Sequence, residues 1–95
     1  MRLIFSPRAE QDLQSIYNHS YELSPSSAEK VMSAIQASIH RLKDFPHLAP
    51  ESIVSRVRVQ LVRRYKFQIF YRIESDTIGI VHIRHTAREP FTPET

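Results

Sequence analysis

Apolar residues recur at helical spacing through the first half of the chain and at every other position through much of the second, so helices come first and strands follow. The short run Leu3-Ile4-Phe5 is stopped by Ser6-Pro7, which predicts a brief strand over Met1 to Phe5 and then a helix start. A serine oxygen can accept from the first-turn amides, and proline at the first helical position forfeits no hydrogen bond. Ala9, Leu13, Ile16, Tyr17 and Ser20 then share a face opposite Glu10, Gln11, Gln14 and Asn18, an amphipathic helix of about four turns. Ser24-Pro25 repeats the start signal, in competition with a capping box from Ser26 to Glu29. Ala28, Val31, Met32, Ile35, Ile39 and Leu42 form a second stripe that Pro46 ends, and the short connection predicts an antiparallel helix hairpin. Pro46 to Pro50 reads as a turn.

Beyond it the period is two. Val57, Val59 and Leu61 alternate with Arg56, Arg58 and Gln60; Tyr65, Phe67, Ile69, Tyr71 and Ile73 alternate with Lys66, Gln68, Phe70 and Arg72. The expectation is strands that bury the first-named sets and wet the second. Arg63-Arg64 is placed at the hairpin connection, and Glu74-Ser75-Asp76-Thr77 makes a second polar turn. The run Ile78 to Ile83 is apolar on both faces, which predicts a strand interior to the sheet with the N-terminal strand on its far side. From Ala87 onward there is no periodicity, and about residues 90–95 are expected to be a mobile tail. The expected fold class is α+β with element order β-α-α-β-β-β, an N-terminal antiparallel helix hairpin packed on a mainly antiparallel twisted sheet, in one domain over residues 1–95.

Composition narrows the chemistry. Zero cysteines exclude a disulfide scaffold, a thiolate metal site and a cysteine nucleophile. The single glycine, Gly79, lies between isoleucines, so Walker loops, dinucleotide fingerprints and EF-hand loops have no glycine to use, and no cofactor is expected. No stretch approaches the roughly 18 apolar residues of a membrane span, and Pro7, Arg8 and Glu10 interrupt any signal-peptide core, so a cytoplasmic location is expected.

Charge is unevenly placed. Residues 1–48 hold five basic and five acidic groups, so the net +3 lies entirely beyond them. Between Ser52 and Ile73 stand Arg56, Arg58, Arg63, Arg64, Lys66 and Arg72 with no carboxylate among them, which predicts an anionic partner. Arginine outnumbers lysine ten to three, and guanidinium forks two hydrogen bonds to carboxylate or phosphate where solubility alone would be served by lysine. The alternative is a solvated basic sheet that resists edge-to-edge aggregation.

The last strand ends His82-Ile83-Arg84-His85-Thr86-Ala87-Arg88. Strand alternation puts His82 and Arg84 on one face and His85 on the other, which is poor geometry for a metal, and none is expected. His85 with Arg84 and Arg58 has the residue types for metal-free RNA cleavage, imidazole moving protons and guanidinium stabilising charge on phosphorus. A second proton carrier is missing, since the residue after Pro90 is Phe91.

The order of these elements, with Ala9-Glu10-Gln11-Asp12-Leu13 and Ile16, Ser24-Pro25, Ile39 with Arg41-Leu42, Phe45-Pro46, Arg58, Tyr65, Ile69-Phe70-Tyr71-Arg72 and Ile83-Arg84-His85-Thr86-Ala87-Arg88, resembles the RelE/ParE superfamily of bacterial toxin–antitoxin toxins, its ParE-like branch in particular. Ala49 departs from the pattern, standing where many relatives have glycine after the proline. The resemblance implies a toxin neutralised by a cognate antitoxin whose acidic C-terminal segment wraps the helix hairpin and adds to the sheet, with Leu13, Ile16, Tyr17, Arg56, Arg63, Arg64 and Arg72 as its contacts. It further implies a DNA gyrase inhibitor that is not an enzyme, meeting its target through Arg58, Arg84, His85 and Arg88. The alternatives are a RelE-like ribosome-dependent mRNA endoribonuclease using His85, Arg84 and Arg58, and an inactive member that only binds antitoxin.

Overall fold

The computed structural model describes residues 1–51 and 56–86. The elements are β1 (Arg2–Phe5), α1 (Pro7–Leu23), α2 (Pro25–Asp44), β2 (Arg58–Val62), β3 (Phe67–Glu74) and β4 (Thr77–His85). Both helices begin as their sequences dictate. Ser6 accepts from the Ala9 amide at 3.0 Å with Pro7 following, and Ser24 accepts from the Ser27 amide at 3.0 Å with Pro25 following. The Ser24 cap therefore prevails over the Ser26 to Glu29 box, because proline suits only the first turn and Pro25 fixes where that turn lies. Each such cap contributes about 1 kcal/mol.

The sheet order is β1-β4-β3-β2, with β1 parallel to β4 and the other pairs antiparallel, so the last strand is interior and flanked by the first as expected. Ile16, Val31, Ile35, Ile39 and Leu42 from the helices pack on Phe67, Ile69, Tyr71, Ile78, Ile80 and Ile83 from the sheet, with Leu3 and Phe5 at its margin. The buried isoleucines of β4 change parity between Ile80 and Ile83 because the ladder shifts there: Tyr71 pairs with Ile80 and Phe70 with His82, leaving Val81 as an extra residue. The Val81 carbonyl accepts from the Ser6 hydroxyl at 3.0 Å, so the residue that caps α1 also ties down the bulge.

Three sequence expectations are corrected. In β2 the inward residues are Gln60 and Val62, while Val59 and Leu61 are 36% and 48% exposed. The cause is the turn: Val62 pairs with Phe67 across Arg63-Arg64-Tyr65-Lys66, and an even-length turn sets even-numbered residues of β2 opposite odd-numbered residues of β3. Tyr65 consequently belongs to the turn, in the left-handed region at φ 86, and not to the buried face of β3. Phe70 is buried rather than wet; it lies outside the main core cluster and stacks on its cross-strand partner His82, ring centroids 5.4 Å apart.

Candidate functional site

The sheet divides the predicted site residues between its two faces. Arg58 pairs with Tyr71 and thus shares the helix-facing side, where its guanidinium donates to the Ala49 carbonyl at 2.6 Å. His85 pairs with Phe67 on that same side, edge-on to its ring at 4.9 Å. Arg84 pairs with Gln68 on the opposite face, together with the exposed Arg72 opposite Gly79. Arg88 lies outside the described residues. The structure therefore does not gather Arg58, Arg84 and His85 on one surface, and Arg58 is occupied in holding the turn between α2 and β2.

That turn is held by a second group. The Tyr71 hydroxyl donates to the Pro46 carbonyl at 2.9 Å. Burial pushes its phenol above the ordinary tyrosine value, with a backbone hydrogen bond at Ala49 and the charge of Arg58 acting the other way.

Of the residues expected to meet a partner on the helix hairpin, Ile16 is only 6% exposed and belongs to the core. Leu13 is half-buried against it. Tyr17 is exposed and stands 5.9 Å, ring to ring, from Tyr21. Arg56, Arg63, Arg64 and Arg72 are all exposed, and the Arg64 guanidinium sits 5.6 Å over the Tyr65 ring. Among the described residues none of Arg56, Arg58, Arg63, Arg64, Lys66 and Arg72 forms an ion pair with a carboxylate. Among the described residues the positive field read from the sequence is thus uncompensated, although it is spread over the β2–β3 turn and both faces.

Two features carry no local sequence signal. Asp12, on α1, reaches the margin of β4 beyond the end of β1, taking a hydrogen bond from the Ile83 amide at 3.0 Å and standing 2.6 Å from His82 Nδ1. Arg8 completes the cluster at 3.1 Å from the other oxygen of Asp12. The second feature is a groove between α2 and β2. Ala34, Ala37 and Ser38 form its helix wall, Gln60 to Arg64 its strand wall, and Leu48 and Arg41 one end. A hollow lined by Glu29, Lys30, Ser33, Ala34, Arg64 and Tyr65 continues it. The small residues Ser33, Ala34, Ala37 and Ser38, spaced along one side of α2, are the only trace of it in the sequence, and they read equally well as ordinary helix surface.

Among the described residues no helix is long and apolar enough to cross a membrane. The family model described as "ParE toxin of type II toxin-antitoxin system, parDE" matches residues 3–90. No curated protein matches the sequence. Among solved structures, a chain of the chromosomal ParDE TA system from P. aeruginosa is similar, at 27% identity and a TM-score of 0.71, over 90% of this chain and 95% of that one.

Proposed function

Because the chain belongs to the ParE toxin family of type II toxin–antitoxin systems, we propose that it arrests growth in the cytoplasm by binding DNA gyrase, and that a cognate antitoxin neutralises it. The observation that carries this reading is the division of the basic groups by the sheet. Cleavage through His85, Arg84 and Arg58 needs an imidazole and guanidinium groups around one phosphate, whereas Arg58 and His85 share one face and Arg84 lies on the other. Guanidinium groups on the β2–β3 turn and at Arg72, which pair with no carboxylate among the described residues, suit an acidic or phosphate-bearing protein surface, which binding alone can exploit. The test is a supercoiling assay with purified gyrase and antitoxin-free protein. Loss of supercoiling is expected; unimpaired supercoiling at concentrations that stop growth removes the reading.

One observation favours a second reading, the ribosome-dependent mRNA endoribonuclease. The Asp12 carboxylate holds His82 Nδ1, and His82 shares its face with Arg84. A carboxylate that fixes one ring nitrogen orients the other for proton transfer. In this reading the proton carrier is His82 in place of His85. Mapping of transcripts after induction separates the two: cleavage that disappears in His82→Ala and persists in His85→Ala supports it, and intact transcripts in arrested cells exclude it.

A further inference from the structure

We infer that residues 87–95 form a strap across the helix-free face of the sheet, with Phe91 seated on Phe70, and that this strap shields Arg84 from anionic partners.

The face and its burial come first. Both helices pack on the side of the sheet that carries Phe67, Ile69 and Tyr71. The other side carries Leu61, Gln68 and Arg84 in one row and Val59, Phe70 and His82 in the next. On the uncovered side of a two-layer fold side chains stay wet, and Val59 and Leu61 do so, at 36% and 48% exposure. Phe70, between Val59 and His82, is only 4% exposed. The His82 ring stacks against it, and α1 comes to this face only at its margin, where Asp12 meets His82. Such neighbours leave the outer surface of the Phe70 ring open. One row away Gln68 Oε1 and Arg84 Nε are shut off from solvent as well. A layer therefore lies over this part of the face, and none of the described elements supplies it.

The chain beyond Thr86 has the reach and the chemistry to be that layer. Thr86 is fixed to the Lys66 carbonyl through its amide at 2.9 Å and its hydroxyl at 3.0 Å, so the segment departs beside the row of Gln68 and Arg84. From Phe67, the partner of His85, it is about 10 Å along β3 to Phe70, and the chain from Thr86 to Phe91 can span up to about 17 Å. The difference leaves length for the chain to reverse. Glu89 and Thr92 each precede a proline, which favours extended backbone on both sides of Phe91. Phe91 on Phe70 then pairs two aromatic rings, and Glu89 comes to the row of Arg84, carboxylate against guanidinium. The segment carries Glu89 and Glu94 against Arg88 alone, a balance opposite in sign to the face it covers. A strap thus takes the place of the mobile tail that the missing periodicity suggests. The other stretch of chain outside the described residues, 52–55, is flanked by Glu51, which bridges Arg58 at the far end of β2 from Gln68 and Arg84.

The chain has no cysteine, so introduced pairs report proximity without interference. Val59→Cys with Thr92→Cys should close an intramolecular disulfide under mild oxidant about tenfold faster than Ala37→Cys with Thr92→Cys. Val59 and Ala37 are both exposed, but Ala37 stands on α2, on the opposite side of the sheet. Equal rates, or faster closure at Ala37, overturn the inference. Adding Phe91→Ser to the Val59 pair should bring its rate down to that of the Ala37 pair, and an unchanged rate overturns the anchoring by Phe91. Heparin serves as the anionic probe of shielding. Phe91→Ser in the otherwise unaltered chain should bind it about threefold or more tightly than the parent at low salt, with the gain shrinking as ionic strength rises. Equal affinity overturns the shielding of Arg84.

Discussion

Asp12 and His82, 70 residues apart in sequence, stand 2.6 Å from one another, and the same Asp12 oxygen accepts the amide of Ile83. The carboxylate takes the place of a strand: β1 stops at Phe5 opposite Ile80, and beyond that point α1 supplies the acceptor that β4 would otherwise lack. Asp12→Ala should therefore destabilise the fold by about 2–3 kcal/mol, since it strands a backbone donor and removes hydrogen bonds to a charged group. His82→Ala should cost less, because the Ile83 bond survives. Urea unfolding of both variants checks the order; an Asp12→Ala protein within about 0.5 kcal/mol of the parent would refute the role given to it.

Arg58 and Arg72 are both arginines of the basic strand region, yet they differ in what they do for the fold. Arg58→Ala removes the 2.6 Å bond to Ala49 and should destabilise by about 1.5–3 kcal/mol, whereas Arg72→Ala, at an exposed position, should change stability by no more than about 0.5 kcal/mol. Thermal unfolding of the two variants gives the comparison directly. Equal effects would mean that the Arg58 contact contributes nothing to the turn it spans.

Tyr71 makes stability depend on alkaline pH. Its phenol is raised above the usual value of 10.0, so the unfolded chain ionises first and the native state holds its proton longer. The contribution is complete below pH 10 and is lost as pH climbs from there through the native value. Tyr71→Phe should cost about 1 kcal/mol at neutral pH, from the lost bond to Pro46, and should show a shallower fall in stability above pH 10 than the parent. Urea titrations at neutral and alkaline pH measure both, and parallel profiles would contradict the assignment.

Backbone strain and glycine are mismatched in this chain. Arg56, Tyr65, Lys66 and Ser75 occupy positive φ, while the one glycine, Gly79, sits in β4 with nothing within 4 Å of where a Cβ would lie. Lys66→Gly should stabilise by about 1 kcal/mol by relieving a left-handed residue, and Gly79→Ala by about 0.5 kcal/mol or more by reducing the freedom of the unfolded chain. Differential scanning calorimetry should record a higher Tm for each. A lower Tm for Lys66→Gly would show that the turn uses the lysine side chain.

Much of this molecule was legible in its residues. Proline after serine marked both helix starts, the change of period marked the passage to strands, and the two-faced apolar run marked β4 as the interior strand, because capping, periodicity and burial are local or nearly local effects. Even the true phase of β2 was implicit: Phe67, Ile69 and Tyr71 had to face the core, and a four-residue turn then turns Val59 and Leu61 outward. Any even-length connection sets this phase, the two-residue one at Arg63-Arg64 included, so the burial expected of Val59 and Leu61 rested on alternation alone and conflicted with the turn it was paired with.

By itself, then, the sequence determined the order of elements, the core stripes, the excess of guanidinium and the separation of Arg84 from His85, all of which follow from spacing along one chain. Tertiary structure alone decided that Asp12 would meet His82, that Arg58 would be taken up by Ala49, and that small residues on α2 would open a groove along the basic edge strand β2. Those relations depend on where distant segments arrive in space, and a carboxylate or a guanidinium has the same composition and local pattern whether it meets a backbone amide, a carbonyl or only water.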